Sequence, residues 1–223
     1  MRYHDTDEKN NNMIIGIVNQ KGGCGKTTLV TNLACLSAIN KKKTILIDAD
    51  IQGSSMKFRM IRPDNKPQFR AVSILTPTIH KDISSFNFDV AFIDSGGRDS
   101  KSFRSVIRAC DRIVVPIQPS QYDIWSSEET FEIMDEIRQF KEIEAGIVLN
   151  QLIQNTNISN EIIDLVEELS KKYNLKNYKT RVFSRVAYKE SSIKGLSVVE
   201  IKESKYKKAK EEILSLYNEV FYG

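Results

Sequence analysis

A glycine-rich segment between an apolar run and a helical run constrains this chain more than any other feature. Residues 19–28 read NQKGGCGKTT, and the GKT triplet fits the end of the phosphate-binding pattern G-x-x-x-x-G-K-[ST]. Residues 13–19 before it are apolar and β-branched, as in a buried strand, and residues 28–39 carry apolar residues at helical spacing. A strand, a glycine loop and a helix place phosphates at a helix N-terminus, where free N–H groups favour anions. The segment therefore predicts a nucleotide site.

The same loop contains two lysines, although a phosphate-binding loop needs only one. Lys26 occupies the usual position, and Lys21 stands five residues earlier. The usual pattern would place its opening glycine at position 20, which is Gln20. The glycines lie closer to the second lysine, at Gly22, Gly23 and Gly25. The usual pattern gives Lys21 no role.

Strand-like and helix-like segments alternate along the rest of the chain. Further apolar runs lie at residues 43–48, 88–94, 112–118 and 145–150. Helix-like segments lie at residues 100–110, 126–140 and 159–172. The second of these helices would begin at Ser126, which forms a capping-box pattern with Glu129. Apolar strands that alternate with helices predict a parallel sheet covered on both faces. We therefore expect one α/β P-loop domain with a mostly parallel, helix-flanked sheet.

Three less regular regions complete the expected domain. Residues 1–12 are polar and acidic, which predicts a disordered tail before a domain at residues 13–223. Residues 51–85 contain three prolines and mixed polarity, and we expect one or two short helices and an edge strand there. A last helix follows Gly195, with a break before Tyr206.

Three aspartates follow strand-like runs. Asp48 and Asp50 end the second run, and Asp94 ends the third. Ligands of open parallel sheets bind at the carboxyl ends of strands, where a carboxylate can hold Mg²⁺ or orient an attacking water. Each aspartate could instead cap the turn that leaves its strand. Three of them in a chain with a phosphate loop favour the functional interpretation.

Positive charge is concentrated near one end of the chain. The net charge is +4, but residues 176–210, which we call the basic segment, contain eleven Lys or Arg and three Glu, giving +8. The remaining residues therefore carry −4, because 4 minus 8 is −4. Such a segment indicates binding to nucleic acid phosphates through release of counterions. A solvated lysine-rich face is the alternative interpretation.

The three cysteines indicate free thiols. Cys24, Cys35 and Cys110 are scattered without C-x-x-C spacing, which fits a reducing cytoplasm. Cys24 lies inside the phosphate loop, where a small residue that fills space is favoured over a redox switch because the spacing offers no resolving partner.

Three motifs in order give the chain a family resemblance. KGGCGKTT, ILIDADIQGSS and FDVAFIDSGGRDS resemble the ParA/MinD family of deviant Walker A ATPases, over residues 13–223. The stretch SGGRDSKSFRSVIRACDRIVVPIQPSQYDIW is most similar to small plasmid-partition ParA proteins of the ParF-like kind, which lack the helix-turn-helix domain of larger ParA proteins. The chain departs from the family at Ile51, which replaces a proline, and at residues 95–98, which replace Thr-Pro-Pro. The resemblance assigns no role to Arg98.

The resemblance implies a role for each residue of the loop. Lys26 is the phosphate lysine of its own subunit, and Lys21 crosses to the ATP of a second subunit, so that ATP drives formation of a homodimer. Thr27 binds Mg²⁺, and Thr28 contacts the α-phosphate. The loop residues that surround the phosphates are Gly22, Gly23, Cys24 and Gly25.

The resemblance also implies roles outside the loop. Asp50 orients the attacking water, Asp48 lies near the Mg²⁺ shell, and Asp94 is the Walker B acid. Asn150 reads the adenine, although a strand-end turn residue is the alternative. The expected DNA-binding residues are Arg185, Lys189 and Lys194.

These roles imply a function in DNA partition. ATP-bound dimers would bind DNA non-specifically, and a ParB-like partner would stimulate a slow hydrolysis of ATP, in a protein that is cytoplasmic and nucleoid-associated. Positioning of a non-DNA cargo is the alternative. A MinD-like membrane switch is less favoured, because the stretch EEILSLYNEVFYG is acidic rather than basic. We therefore expect no membrane partner.

Overall fold

The computed structural model describes residues 12–97, 101–154 and 159–223. The expected tail at residues 1–12 lies outside the described residues except for Asn12, which is exposed, and Arg98 also lies outside them. The strands are β1 (Met13–Ile17), β2 (Thr44–Ala49), β3 (Arg70–Ser73), β4 (Val90–Ser95), β5 (Arg112–Ile117), β6 (Glu144–Leu152) and β7 (Lys176–Phe183). The helices are α1 (Lys26–Ile39), α2 (Ser54–Met60), α3 (Ile79–Asp82), α4 (Lys101–Ala109), α5 (Gln121–Arg138), α6 (Asn160–Lys172), α7 (Val186–Ile193) and α8 (Lys207–Tyr222).

The seven strands form one parallel sheet in the order β3-β2-β4-β1-β5-β6-β7. This confirms the expected α/β architecture. Strand β1 lies between β4 and β5, so the loop that follows β1 leaves the sheet between the carboxyl ends of those two strands. Asp48 on β2 is the register partner of Asp94 on β4. The topology therefore brings the phosphate loop and both carboxylates to one edge of the sheet.

A hydrophobic core covers each face of the sheet. Successive residues of β2 alternate between the two, with Ile45 and Ile47 in one core and Leu46 in the other, as the pleat of a strand requires. The first core includes side chains of α4, α5 and α6, and the second includes those of α1 and α8. Burial on both faces explains why the central strands are almost continuously apolar before the aspartates near their carboxyl ends.

One prediction about the regular elements was wrong, and two elements were not predicted. Helix α5 begins at Gln121 rather than at Ser126, because Ser120 is the N-cap and its side chain accepts a hydrogen bond from the Asp123 N–H. The Ser126 hydroxyl instead donates to the Asp123 carbonyl inside the helix. Strand β7 and helix α7 were not predicted, because charged residues interrupt the apolar pattern of both elements.

The less regular regions agree with the sequence. Residues 51–85 contain the short helices α2 and α3 and the edge strand β3. Ser197 and Glu200 form a complete capping box, although on a 3₁₀ turn rather than an α-helix. Residues 201–203 are not helical, and a second 3₁₀ turn at Ser204–Tyr206 leads into α8. The expected break before Tyr206 is therefore confirmed.

Candidate functional site

The phosphate loop runs from the end of β1 to the first residue of α1. Gly25 is the N-cap of α1 and has φ 92°, a left-handed conformation that favours glycine. A Cβ atom at this position would lie 2.3 Å from Asn150 Nδ2. Gly25 is therefore required both by its backbone conformation and by the close approach of β6.

A cavity of about 910 Å³ opens at this edge of the sheet. Its lining includes seven of the predicted site residues, namely Gly22, Gly23, Gly25, Lys26, Thr27, Thr28 and Asp50. Cys24 is buried instead, and its thiol donates a hydrogen bond to the Lys21 carbonyl at 3.3 Å. Burial raises the pKa of Cys24 above its ordinary value, against the opposing charge of Lys26. This thiol fills space and is not an exposed reactive group.

The two loop lysines lie in different environments. Lys26 is buried, lines the cavity and donates to the Lys21 carbonyl at 2.9 Å. The Lys21 side chain lies outside the cavity lining and is 33% exposed, and its ammonium forms an ion pair with the Asp123 carboxylate on α5. Lys26 therefore faces the cavity, whereas Lys21 is held against α5 outside the cavity lining and is partly exposed to solvent.

Thr27 and Asp94 form the arrangement expected of a metal site. The Thr27 hydroxyl donates to Asp94 Oδ2 at 2.8 Å, while Oδ1 of the same carboxylate is buried without a hydrogen-bond partner among the described residues. Burial raises the pKa of Asp94 to about 7, an effect that its hydrogen bond with Thr27 opposes and the nearby charge of Asp48 reinforces. A divalent cation would satisfy the free oxygen and stabilise the buried charge.

Asp48 and Asp50 have different partners. Both oxygens of Asp48 accept backbone N–H groups, from Asp50 at 3.0 Å and from Met56 at 2.9 Å. Asp48 therefore caps the turn that leads into α2, and its hydrogen bond with the Asp50 N–H fixes the backbone at Asp50. The Asp50 carboxylate accepts the Gln52 N–H through one oxygen and lies in the cavity lining. Asp50 is the carboxylate of this pair that faces the cavity.

Asn150 and the predicted DNA-binding residues are also located. Asn150 is buried, and its amide nitrogen donates to the Cys24 carbonyl at 2.7 Å, so it contacts the phosphate loop directly. The Arg185 side chain is 13% exposed and forms an ion pair with Glu212 at 2.5 Å. Lys189 and Lys194 are exposed.

Four residues at the site were missed from the sequence. Asp123 holds Lys21, and Asn19 accepts the Lys21 N–H at 2.9 Å. The amide nitrogens of Gln118 and Gln151 both donate to the Gly23 carbonyl, at 3.2 Å and 2.7 Å. A usable signal was present for Asn19, Gln118 and Gln151, which lie at the ends of strand-like runs as the predicted aspartates do, but not for Asp123, which lies in the first turn of α5.

The residues present fit a nucleoside triphosphate with Mg²⁺. The loop glycines, Lys26 and the start of α1 would hold the phosphates, and Thr27 and Asp94 would hold Mg²⁺. The cation would neutralise charge on the phosphate oxygens. Mg²⁺ usually keeps several waters and takes one or two protein ligands. This agrees with the finding that the described part of the chain holds no cluster of three or more acidic, His or Cys ligands.

Fold and site together define a P-loop nucleotide-binding protein whose loop carries a second lysine. Residues 15–205 match the CobQ/CobB/MinD/ParA nucleotide binding domain, and the chain belongs to this family. It is 27% identical over 213 residues to the maintenance of carboxysome distribution protein A of Halothiobacillus neapolitanus, covering 92% of this chain and 95% of the relative. It is 25% identical over 231 residues to the sporulation initiation inhibitor protein Soj of Bacillus subtilis, covering 83% of this chain and 90% of the relative.

Solved structures show the same fold. The ATP complex of Cyanothece McdA superposes with a TM-score of 0.76 at 17% identity, covering 94% of this chain and 96% of that one. Across the described residues of the present chain, no helix has the length and apolar character needed to cross a membrane.

Proposed function

We propose that this chain is a ParA-type ATPase that dimerises when it binds ATP and Mg²⁺, and that hydrolysis returns it to monomers. The observation that supports the proposal is the separation of the two loop lysines. Lys26 lies in the cavity of its own subunit, whereas Lys21 lies outside it, partly exposed, at the end of the sheet where the nucleotide binds. A lysine in that position can reach a nucleotide held by a second copy and stabilise its γ-phosphate charge.

Within this proposal, Asp50 orients the attacking water. It is the carboxylate in the cavity lining that neither holds the metal nor has both oxygens occupied by backbone groups. Hydrolysis would be slow in the isolated protein, because the site is completed only when the partner's lysine arrives.

The ATP-bound dimer would bind duplex DNA without sequence preference. The basic segment supports this role, because exposed lysines lie on helix α7, at its C-cap, in the connection to α8 and in the first turn of α8, namely Lys189, Lys194, Lys202 and Lys208. Two copies in one dimer would double the charge, and affinity would then depend steeply on salt. A ParB-like protein on the cargo would stimulate hydrolysis, so that the protein is cytoplasmic, associates with the nucleoid and partitions plasmid or chromosomal DNA.

The cargo could instead be a protein assembly. The similarity to a carboxysome distribution protein, over 95% of its length, favours this second candidate. The ATPase cycle and the DNA surface would be the same, and the partner that stimulates hydrolysis would differ. A MinD-like membrane switch through α8 is not favoured, because the apolar face of that helix, including Ile213, Leu216 and Val220, is buried in the core.

The test combines the oligomeric state with DNA binding. Wild type, Lys21→Ala and the exposed control Lys171→Ala would be measured by light scattering with no nucleotide, with ADP and with a non-hydrolysable ATP analogue. Binding to random-sequence duplex DNA would be measured in parallel at two salt concentrations. We expect dimers and salt-sensitive DNA binding only with the ATP analogue, in wild type and Lys171→Ala but not in Lys21→Ala.

Two results would contradict the proposal in different ways. Dimers of Lys21→Ala would remove the crossing role of that lysine. Nucleotide-dependent dimers that never bind DNA would show that the basic segment is only a solvated face.

A further inference from the structure

Three amide side chains hold the outer side of the phosphate loop. Gln151 Nε2 and Gln118 Nε2 both donate to the Gly23 carbonyl, and Asn150 Nδ2 donates to the Cys24 carbonyl. Gln118 also donates to Gln151 Oε1 at 2.7 Å, so the two glutamines are joined to each other. Residues at the carboxyl ends of β5 and β6 therefore hydrogen-bond to two successive peptide groups of the loop.

Because the peptide group is planar, the hydrogen bonds that fix these carbonyl groups also fix the directions of the N–H groups that follow them. Among the described residues all peptide bonds are trans, and in a trans peptide the C=O and the following N–H point in opposite directions. Fixing the Gly23 and Cys24 carbonyls toward the strand ends therefore fixes the N–H groups of Cys24 and Gly25 away from them. Backbone N–H groups of such a loop are the groups that bind phosphate oxygens.

A bulge in β6 allows both Asn150 and Gln151 to hydrogen-bond to the loop. Leu149 pairs with Arg181 and Leu152 pairs with Phe183, so β6 uses three residues where β7 uses two. Gln151 lies in this bulge with φ 58°, a left-handed conformation that is disfavoured for a residue with a Cβ atom. In a regular strand, Asn150 and Gln151 would point to opposite faces. The bulge directs both amides to the same loop, as bulges beside active sites often do.

We propose that Gln151, held by Gln118, is a positioning residue that orients the phosphate loop before nucleotide binds. The left-handed backbone of Gln151 costs conformational energy, and its role in this proposal is to bring the side-chain amide to the Gly23 carbonyl. This inference depends only on nucleotide binding at the loop, and not on dimerisation or on DNA.

Two substitutions separate the amide from the backbone strain. Gln151→Met keeps the length of the side chain and the left-handed strain but removes the donor. Gln151→Gly removes the donor and the strain together. We expect both variants to bind ADP with Mg²⁺ about three- to tenfold more weakly, as the loss of one hydrogen bond predicts. We expect resistance to urea unfolding without nucleotide to fall in Gln151→Met and to be largely recovered in Gln151→Gly.

Titration calorimetry with ADP and Mg²⁺, together with urea unfolding, tests the proposal. Gln139→Met is the matched control, because Gln139 is exposed at the C-cap of α5, at the opposite end of the sheet. Equal losses of affinity in the two Gln151 variants, with unequal stabilities and an unaffected control, would support the role of the amide.

Other results would overturn the proposal. Wild-type affinity in Gln151→Gly would exclude the amide, and so would an affinity that merely follows stability through the three proteins. A wild type that binds no nucleotide would overturn the assignment of the whole site, and so would be distinguishable from failure of the Gln151 role alone.

Discussion

The nucleotide end of the molecule and the basic segment are built from polar residues in different ways. At the nucleotide end, Lys26, Thr27 and Asp50 each have a specific hydrogen-bond partner, so that a substitution removes one particular contact. In the basic segment the charges are either exposed, as at Lys189, or paired with a nearby acid, as Lys205 is with Glu190. Directional contacts make single residues decisive, whereas charge density distributes an effect over many residues.

The largest effect of a single substitution is expected at Asp50, at the nucleotide end of the molecule. Asp50→Asn keeps the oxygen that accepts the Gln52 N–H but removes the charge that would orient the attacking water. We expect ATP turnover to fall on the order of 100-fold, the range seen when a positioned acid or base is removed, with ATP binding nearly unchanged. Steady-state phosphate release and nucleotide titration measure the two quantities.

Asp64→Asn is the control for this variant, because Asp64 is exposed in the connection between α2 and β3. Undiminished turnover in Asp50→Asn would show that another group orients the water.

A smaller effect is expected at the ion pair between Lys21 and Asp123. The Asp123 side chain is only 9% exposed and holds Lys21 in its own subunit, so this contact must break before the lysine reaches a partner. Asp123→Asn should therefore strengthen ATP-dependent dimerisation, by up to about fivefold for a partly exposed pair. Sedimentation with an ATP analogue over a range of protein concentrations measures the dimer constant.

Glu136→Gln provides the comparison on the same helix, since it breaks the pair of Arg104 and Glu136, whose charged atoms are 2.5 Å apart. Weaker dimerisation of Asp123→Asn would mean that Asp123 supports Lys21 in the dimer rather than competing for it.

The smallest effects are expected in the basic segment. Lys189→Ala and Lys194→Ala should each weaken DNA binding about twofold at low salt, and each should reduce the slope of log affinity against log salt by a fraction of the ~0.9 that one complete phosphate contact contributes. Fluorescence anisotropy with duplex DNA at several salt concentrations gives both values. Equal losses in Lys171→Ala, outside the segment, would show that overall charge rather than this surface determines binding.

The same contrast explains what the sequence could predict. The phosphate loop and the central strands were predictable because glycine spacing and continuous burial leave strong local patterns. Strand β7 was missed because it is an edge strand, in which buried Tyr178, Thr180 and Val182 alternate with charged or half-buried residues. The lysines and arginines of this strand mask the alternation, because they make the segment resemble a solvated basic stretch.

The contacts of the site were less predictable than its residues. The ion pair of Lys21 with Asp123 joins residues about a hundred positions apart, and it depends on β5 lying beside β1 in the sheet. The bulge that turns Gln151 toward the loop has no local sequence signal, because glutamine does not favour a left-handed backbone. The residues of the site could be predicted from the sequence, but their contact partners could be identified only from the fold.

Burial of Cys24 inside the phosphate loop has a practical consequence. Its thiol is shielded in the closed loop, and Cys35 and Cys110 are buried in the two cores. Alkylating reagents can therefore reach Cys24 only when the loop opens, and the other two thiols only when the cores do. The rate at which Cys24 is modified would then report the frequency of loop opening in solution, without any added label.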